Sequence, residues 1–242
     1  MLQTEKSRGN VSKGYWQRLF ILVFLIGLLV PAWGADKSKD EDTLRNAARV
    51  LSKMLSDKNV PADVLAKANC IIVLPSVKKF GFGIGGSGGR GPMTCRGGKD
   101  FSGKWSAPAM YSLSGASVGF QVGGSATDFV LLIMSQKGVD AVLKGSKTKL
   151  GSDATAAAGP SGATRAGTMK GSDVLTYADA SGLFAGTSLG GSTLEPDKDA
   201  NKRLYEKEIT AKEIVLQNAV KTTDGGEELV SLLNAKVAKH KS

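Results

Sequence analysis

Fourteen of the chain's 31 glycines fall between Gly81 and Gly124, and this clustering constrains the fold more than any other feature. Glycine inside a helix or strand costs roughly 0.5–1 kcal/mol relative to alanine, so a run of glycines is tolerated where the backbone needs their lack of a side chain. The densest part is KKFGFGIGGSGGRG, residues 78–91, with seven glycines in fourteen positions behind two lysines. Two readings compete. One is a loop that holds phosphate or a nucleophile. The other is a strand whose small residues let neighbouring backbone come close.

Two catalytic signatures match the stretch literally. Gly81, Gly83 and Gly86 satisfy G-x-G-x-x-G, and Gly85 to Gly89 satisfy G-x-S-x-G around Ser87. A dinucleotide fingerprint needs a strand directly before its first glycine and a helix opening at its last. Here Pro75 and two lysines precede Gly81, and Ser87-Gly88-Gly89-Arg90-Gly91-Pro92 cannot start a helix. Gly98, Gly103 and Lys104 approach a phosphate loop, but Trp105 stands where the magnesium-binding hydroxyl belongs. A serine nucleophile needs a base, and the sole histidine is His240 in a lysine-rich tail. A Ser87 dyad with Lys78 or Lys79 has no spacing to single it out. Two cysteines, one terminal histidine and scattered carboxylates form no metal-ligand cluster. The expectation is no catalytic residue, no metal and no cofactor, with Asp40-Glu41-Asp42 and Glu227-Glu228 as solvated charges at helix starts.

The N-terminus has a separate job. Lys6, Arg8, Lys13 and Arg18 precede the apolar run Leu19–Val30, and Pro31-Ala32-Trp33-Gly34 offers small residues before a cut after Gly34. That is the layout of a secretory signal peptide. The apolar run falls short of the ~20 residues of a membrane span, although an uncleaved anchor is the alternative. Cleavage leaves 208 residues, enough for one domain with a sizeable core. It removes four basic residues and Glu5, so the net charge falls from +10 to +7. Such a charge suits anionic surfaces, and an exported protein seldom meets nucleic acid. Periplasm or cell envelope is the expected location. Export permits a Cys70–Cys95 bridge, with two unpaired core thiols as the alternative.

Past a charged leader (35–42), the periodicity of Leu44, Ala47, Ala48, Leu51, Met54 and Leu55 predicts a helix over 43–56. Pro61 suits the first position of a short helix over 61–68. Cys70–Leu74 reads as a brief strand stopped by Pro75, and Gly97–Asp100 as a hairpin turn between Met93–Arg96 and the segment around Trp105. Alternation in MYSLSGASVGFQVG and the apolar run Phe129–Met134 give further strands. Gln136–Lys144 reads as a helix, and DVLTYADASGLFAGTSLGG as two strands around Ser181-Gly182. Helices follow at Pro196–Tyr205, behind a capping box of Thr210 and Glu213, and over the apolar face of Leu229, Val230, Leu232, Leu233 and Val237. The fold class is α+β: a glycine-rich twisted antiparallel sheet or small barrel with N- and C-terminal helices packed on it.

CIIVLPSVKKFGFGIGG (70–86), WSAPAMYSL (105–113), SVGFQVGGSATDFVLLIM (117–134), AAAGPSG (156–162), YADASGLFAGTSLGG (177–191) and Asn201 to Tyr205 occur in that order. Together they resemble the SYLF domain family, also described as the actin-patch or lipid-binding SYLF domain, over roughly residues 40–220. The domain is set at 43–222, between the signal peptide (1–34) with its leader and a C-terminal helix and basic tail (223–242). The resemblance implies a non-enzymatic binding domain. Eukaryotic relatives associate with phosphoinositide membranes and some bind actin filaments; bacterial relatives are similar to exported single-domain envelope proteins. A signal peptide stands where the eukaryotic members carry a membrane-entering segment. Lipid binding is therefore expected as a class, and actin is not expected.

The basic residues Lys78, Lys79, Arg90, Arg96, Lys99 and Lys104 lie close together in sequence around the glycine stretch and are the candidate lipid-headgroup face. Trp105 and Phe120 are the candidate apolar groove, and Lys236, Lys239 and Lys241 form a rival basic site on the last helix. The expected partner is an anionic lipid or membrane surface, with an envelope protein or a glycan as the alternative.

Overall fold

The computed structural model describes residues 32–144, 147–150, 157–158, 173–181, 189 and 191–236. The chain divides into Met1–Asp36 and Lys37–Ser242, and the fold belongs to the second unit. Its elements are α1 (Ala32–Ser56), α2 (Ala62–Leu65), β1 (Cys70–Cys95), β2 (Ala109–Ile133), α3 (Gln136–Leu143), β3 (Thr148–Lys149), β4 (Ala157–Ala158), β5 (Val174–Ser181), β6 (Thr193–Pro196), α4 (Lys198–Tyr205), α5 (Ala211–Val215) and α6 (Asp224–Lys236). The sheet runs β3-β6-β2-β5-β4, with β1 on β2. Apart from the parallel β4–β5 pair, its ladders are antiparallel. The class is α+β, as the sequence predicted.

The long hairpin β1–β2 decides the architecture. A straight strand of 26 residues would span about 85 Å at 3.3 Å per residue. The Cα atoms of Cys70 and Cys95, its two ends, are 4.0 Å apart and joined by a disulfide. β1 therefore curls until it meets itself, and the Arg96 N–H donates to the Asn69 carbonyl at the meeting point. Register shifts between Leu74 and Val77 and between Phe82 and Ile84 mark where it bends, as bulges do. Pro75 does not end the strand. It sits in the first bulge, where its missing N–H interrupts no ladder bond. Ser76 beside it takes φ 52°, and its N–H is held at 2.7 Å by the Asp128 carboxylate.

The glycines serve this self-crossing. A Cβ on Gly91 would lie 1.8 Å from the Val73 carbonyl oxygen, and one on Gly89 would lie 2.7 Å from Val77 Cγ2. The later half of β1 thus passes over the earlier half at backbone contact distance. That answers the question posed by residues 78–91: they form a strand whose small residues admit close backbone approach.

Cys70–Leu74 is apolar without alternation because both of its faces are buried. Cys70, Ile72 and Leu74 face one cluster with Met93, Tyr111, Phe129 and Ile214. Ile71 and Val73 face a second, made with Ala47, Leu51 and Met54 of α1 and Leu229 and Leu233 of α6. β2 is likewise continuous where the sequence suggested two strands. α3 stands as expected, with the Ser135 side chain accepting from Gly138 N, and the Thr210–Glu213 capping box opens α5. Pro61 precedes α2 as its N-cap instead of entering it. β5 ends at Ser181, and most of the second strand expected around Ser181-Gly182 lies outside the described residues.

Candidate functional site

The charged stretch expected as a leader is helical within α1, and it is not solvated. Asp40 is fully buried. Its two carboxylate oxygens accept from Arg90 Nη2 at 2.7 Å and Arg203 Nε at 2.8 Å. Arg90 Nε also donates to Asp197 at 2.8 Å, whose other oxygen accepts from Ala200 N to cap α4. Glu41 accepts from Gly225 N and Thr223 Oγ1, placing an anion at the start of α6 where the helix dipole favours it. This acidic clasp ties α1 to β1, α4 and α6. It corrects the reading of Asp40 and Glu41 as solvent-facing charges. The signal was present: Asp40 lies four residues before Leu44, on the backward extension of the buried stripe.

A second set of bonds holds β2 to α4. The fully buried Asn201 side chain accepts from Met110 N at 2.7 Å and donates to Met110 O at 3.2 Å, acting as a strand edge. Tyr205 Oη donates to the Pro108 carbonyl. Burial pushes the Tyr205 and Tyr111 phenols well above their ordinary range.

Between α1 and the curled strand lies an open cleft of about 460 Å³. Thr43 and Asn46 of α1 form one wall. Pro75, Ser76 and Lys78 at the bulge form the second, and Gly88, Gly89 and Arg90 on the returning arm the third. Two of the six basic candidates, Lys78 and Arg90, meet here, although they are 12 positions apart in sequence.

The six do not form one face. Arg90 is 37% exposed and already engaged by two carboxylates. Lys79 is half-buried, with its ammonium 5.6 Å from the Phe129 ring centroid, and desolvation lowers its pKa. Arg96 is 3% exposed; its guanidinium stacks on Trp105 at 4.6 Å, and burial lowers its pKa. Lys99 and Lys104 are exposed on the β1–β2 connection, at the strand end where Arg96 and Trp105 pair as a bridge. Trp105 is a core residue rather than a groove wall: it is 5% exposed, packs among residues of α1 and α6, and its backbone N–H donates to Asn234 Oδ1 of α6. The Phe120 side chain and the tail lysines Lys239 and Lys241 lie outside the described residues, as does the Lys236 side chain. Among the described residues Phe80 is the one large hydrophobic side chain standing out in solvent, 65% exposed. Sequence reasoning passed over it because it looked like one more strand residue. Ser87 of the G-x-S-x-G match pairs with the Ser192 hydroxyl at 3.4 Å.

These features define an α+β domain wound from one glycine-rich hairpin, with a basic cleft beside an exposed aromatic residue. A family model described as "Las17-binding protein actin regulator" matches residues 114–236. The chain belongs to this Ysc84 family, that of the SYLF domain. It is 34% identical over 211 residues to SH3 domain-containing YSC84-like protein 1 of Rattus norvegicus, covering 86% of this chain and 61% of that protein. The Homo sapiens protein of that name is 33% identical, with 86% and 60% covered. Protein YSC84 of Saccharomyces cerevisiae is 32% identical over 204 residues, with 79% and 42% covered. The chain thus spans about three fifths of the length of the mammalian relatives it matches. No solved structure matches it. The family's description speaks of Las17 binding and actin regulation, so the expectation that actin has no part finds no support in it.

Proposed function

We propose that this chain is a non-enzymatic binding domain that associates with an anionic lipid or membrane surface through the bend of its glycine hairpin. The observation that carries the reading is Phe80, 65% exposed, two residues after the exposed Lys78. An aromatic ring with a nearby lysine suits the membrane interface, where the ring enters the acyl boundary and the cation adds about 1 kcal/mol at an anionic surface. The full chain is expected to co-sediment with anionic vesicles more than with neutral ones, and less as salt rises. Phe80→Ala and Lys78→Gln should each weaken binding, while Lys99→Gln should not. Equal loss from Lys99→Gln, or none from Phe80→Ala, would remove the hairpin bend as the contact.

Export is part of the reading. It is supported by the basic-apolar leader and by a disulfide, which oxidising compartments sustain. N-terminal sequencing of the native protein should find Ala35, and Met1 would defeat it. A second reading has one observation in its favour, the family description naming Las17 binding and actin regulation. On that reading the partner is a protein, and filament co-sedimentation with the purified chain is the direct check.

A further inference from the structure

The cleft beside the bend has a composition that the membrane reading alone does not account for. Its lining carries two cations, a hydroxyl pair and an amide, and no carboxylate. Arg90 is held rigidly from behind. A guanidinium has five N–H donors; Nε–H goes to Asp197 and one Nη2–H to Asp40, which leaves three for a ligand. The two arginines and two aspartates of the clasp cancel in charge, so Lys78 is the lining cation that the clasp does not balance. Lys78 and Ser76 are exposed on the bulge wall and Asn46 on the helix wall.

From this we infer that the cleft is a saturable site for one phosphate monoester group on a small polar body, resting on the lipid reading above and making it specific. Three arguments lead there. Donors approach from three walls, which suits a tetrahedral oxyanion better than a planar carboxylate. A preformed arginine fork matches phosphate geometry bidentately. The cleft, about 460 Å³, exceeds a bare phosphate and falls within the usual range for small-molecule sites. Pro75 is its one wholly apolar lining side chain, too little apolar wall to hold an acyl chain. A lipid headgroup and a soluble phosphate ester share this chemistry.

Calorimetric titration of the full chain with glycerol 3-phosphate, and co-sedimentation with phosphatidylcholine vesicles carrying either phosphatidic acid or phosphatidylglycerol, separate the sources. The first anionic lipid is a phosphate monoester and the second a diester. Glycerol 3-phosphate should bind once per chain, and Lys78→Gln and Asn46→Ala should each weaken it, the lysine change about tenfold for one lost charge-assisted bond. Both variants should keep the wild-type circular dichroism spectrum and melting temperature. Phosphatidic acid should be preferred over phosphatidylglycerol, and glycerol 3-phosphate should compete with it. Binding of glycerol 3-phosphate without any vesicle binding would uphold the cleft and defeat the membrane reading. Equal binding to both anionic lipids, unaffected by glycerol 3-phosphate, would overturn the cleft and leave the membrane reading standing. A folded wild-type chain that takes up no glycerol 3-phosphate also overturns it.

Discussion

Replacing Gly91 by alanine tests the self-crossing of β1 directly. The new Cβ would sit 1.8 Å from the Val73 carbonyl oxygen, 2.9 Å from its carbon and 3.0 Å from Leu74 Cα. An unstrained C···O approach is about 3.3 Å, so one arm must move by about 1.5 Å. The obstacle is backbone, and both arms lie in buried surroundings next to the bridged strand ends, so a rotamer change cannot relieve it. Overpacking costs about 1–3 kcal/mol where side chains can adjust. Here the cost should exceed about 3 kcal/mol, which at 2–4 °C per kcal/mol lowers the melting temperature by roughly 6–12 °C. Gly88→Ala is the internal control, since its Cβ would meet nothing closer than Leu113 O at 3.9 Å. It should be neutral or slightly stabilising, by up to ~1 kcal/mol, through the unfolded state. Urea unfolding followed by circular dichroism reads both. A Gly91→Ala unfolding free energy within about 1 kcal/mol of that of Gly88→Ala, at unchanged m-value, would refute the crossing.

The clasp makes a contrast between neighbours. Asp40→Asn should cost about 3 kcal/mol, the low end for breaking a buried pair because both arginines keep some solvent, whereas Asp42→Asn on the exposed Asp42–Arg45 pair should change stability by under ~1 kcal/mol; equal effects in chemical denaturation would remove the clasp. Opening the Cys70–Cys95 loop by the double alanine variant should cost about 3.5 kcal/mol for its 25-residue separation on the chain-entropy account, and two titratable thiols in the folded native protein would dismiss the bridge. Tyr111 and Tyr205 are held protonated by burial while their unfolded counterparts ionise near pH 10, so the unfolded state releases protons first. Stability should therefore be intact below pH 10 and fall as pH rises above it. Tyr111→Phe should flatten that fall in alkaline melting curves, and a fully reversible titration of Tyr111 and Tyr205 near pH 10 in the folded state would contradict it.

By itself the sequence determined the class of fold, the helices with clear caps and stripes, the cysteines as bridge candidates, and family membership. Each of these depends on local chemistry: Thr210 and Glu213 are three residues apart, and the apolar repeat from Leu44 to Leu55 has helical spacing. Local chemistry also said that residues 78–91 need glycine. It could not say which backbone approaches them, because the partner of Gly91 is Val73, an arm of the same strand reached only after a full curl. The strand continued past Pro75 for a related reason: whether a proline interrupts a strand depends on the ladder beside it, and the bulge at Ser76 removes the need for its N–H.

The site was divided the same way. Charge placement along the chain put Lys78 and Arg90 near one another, and the cleft unites them. Charge placement also grouped Arg96 with them, yet Arg96 lies buried against Trp105, since a cation's exposure depends on what the tertiary fold lays over it. Asp40 is the sharpest case. A carboxylate ahead of a helical repeat is usually solvated, and only the arrival of Arg90 from the hairpin and Arg203 from α4, 50 and 163 positions away, offsets the desolvation of burying it.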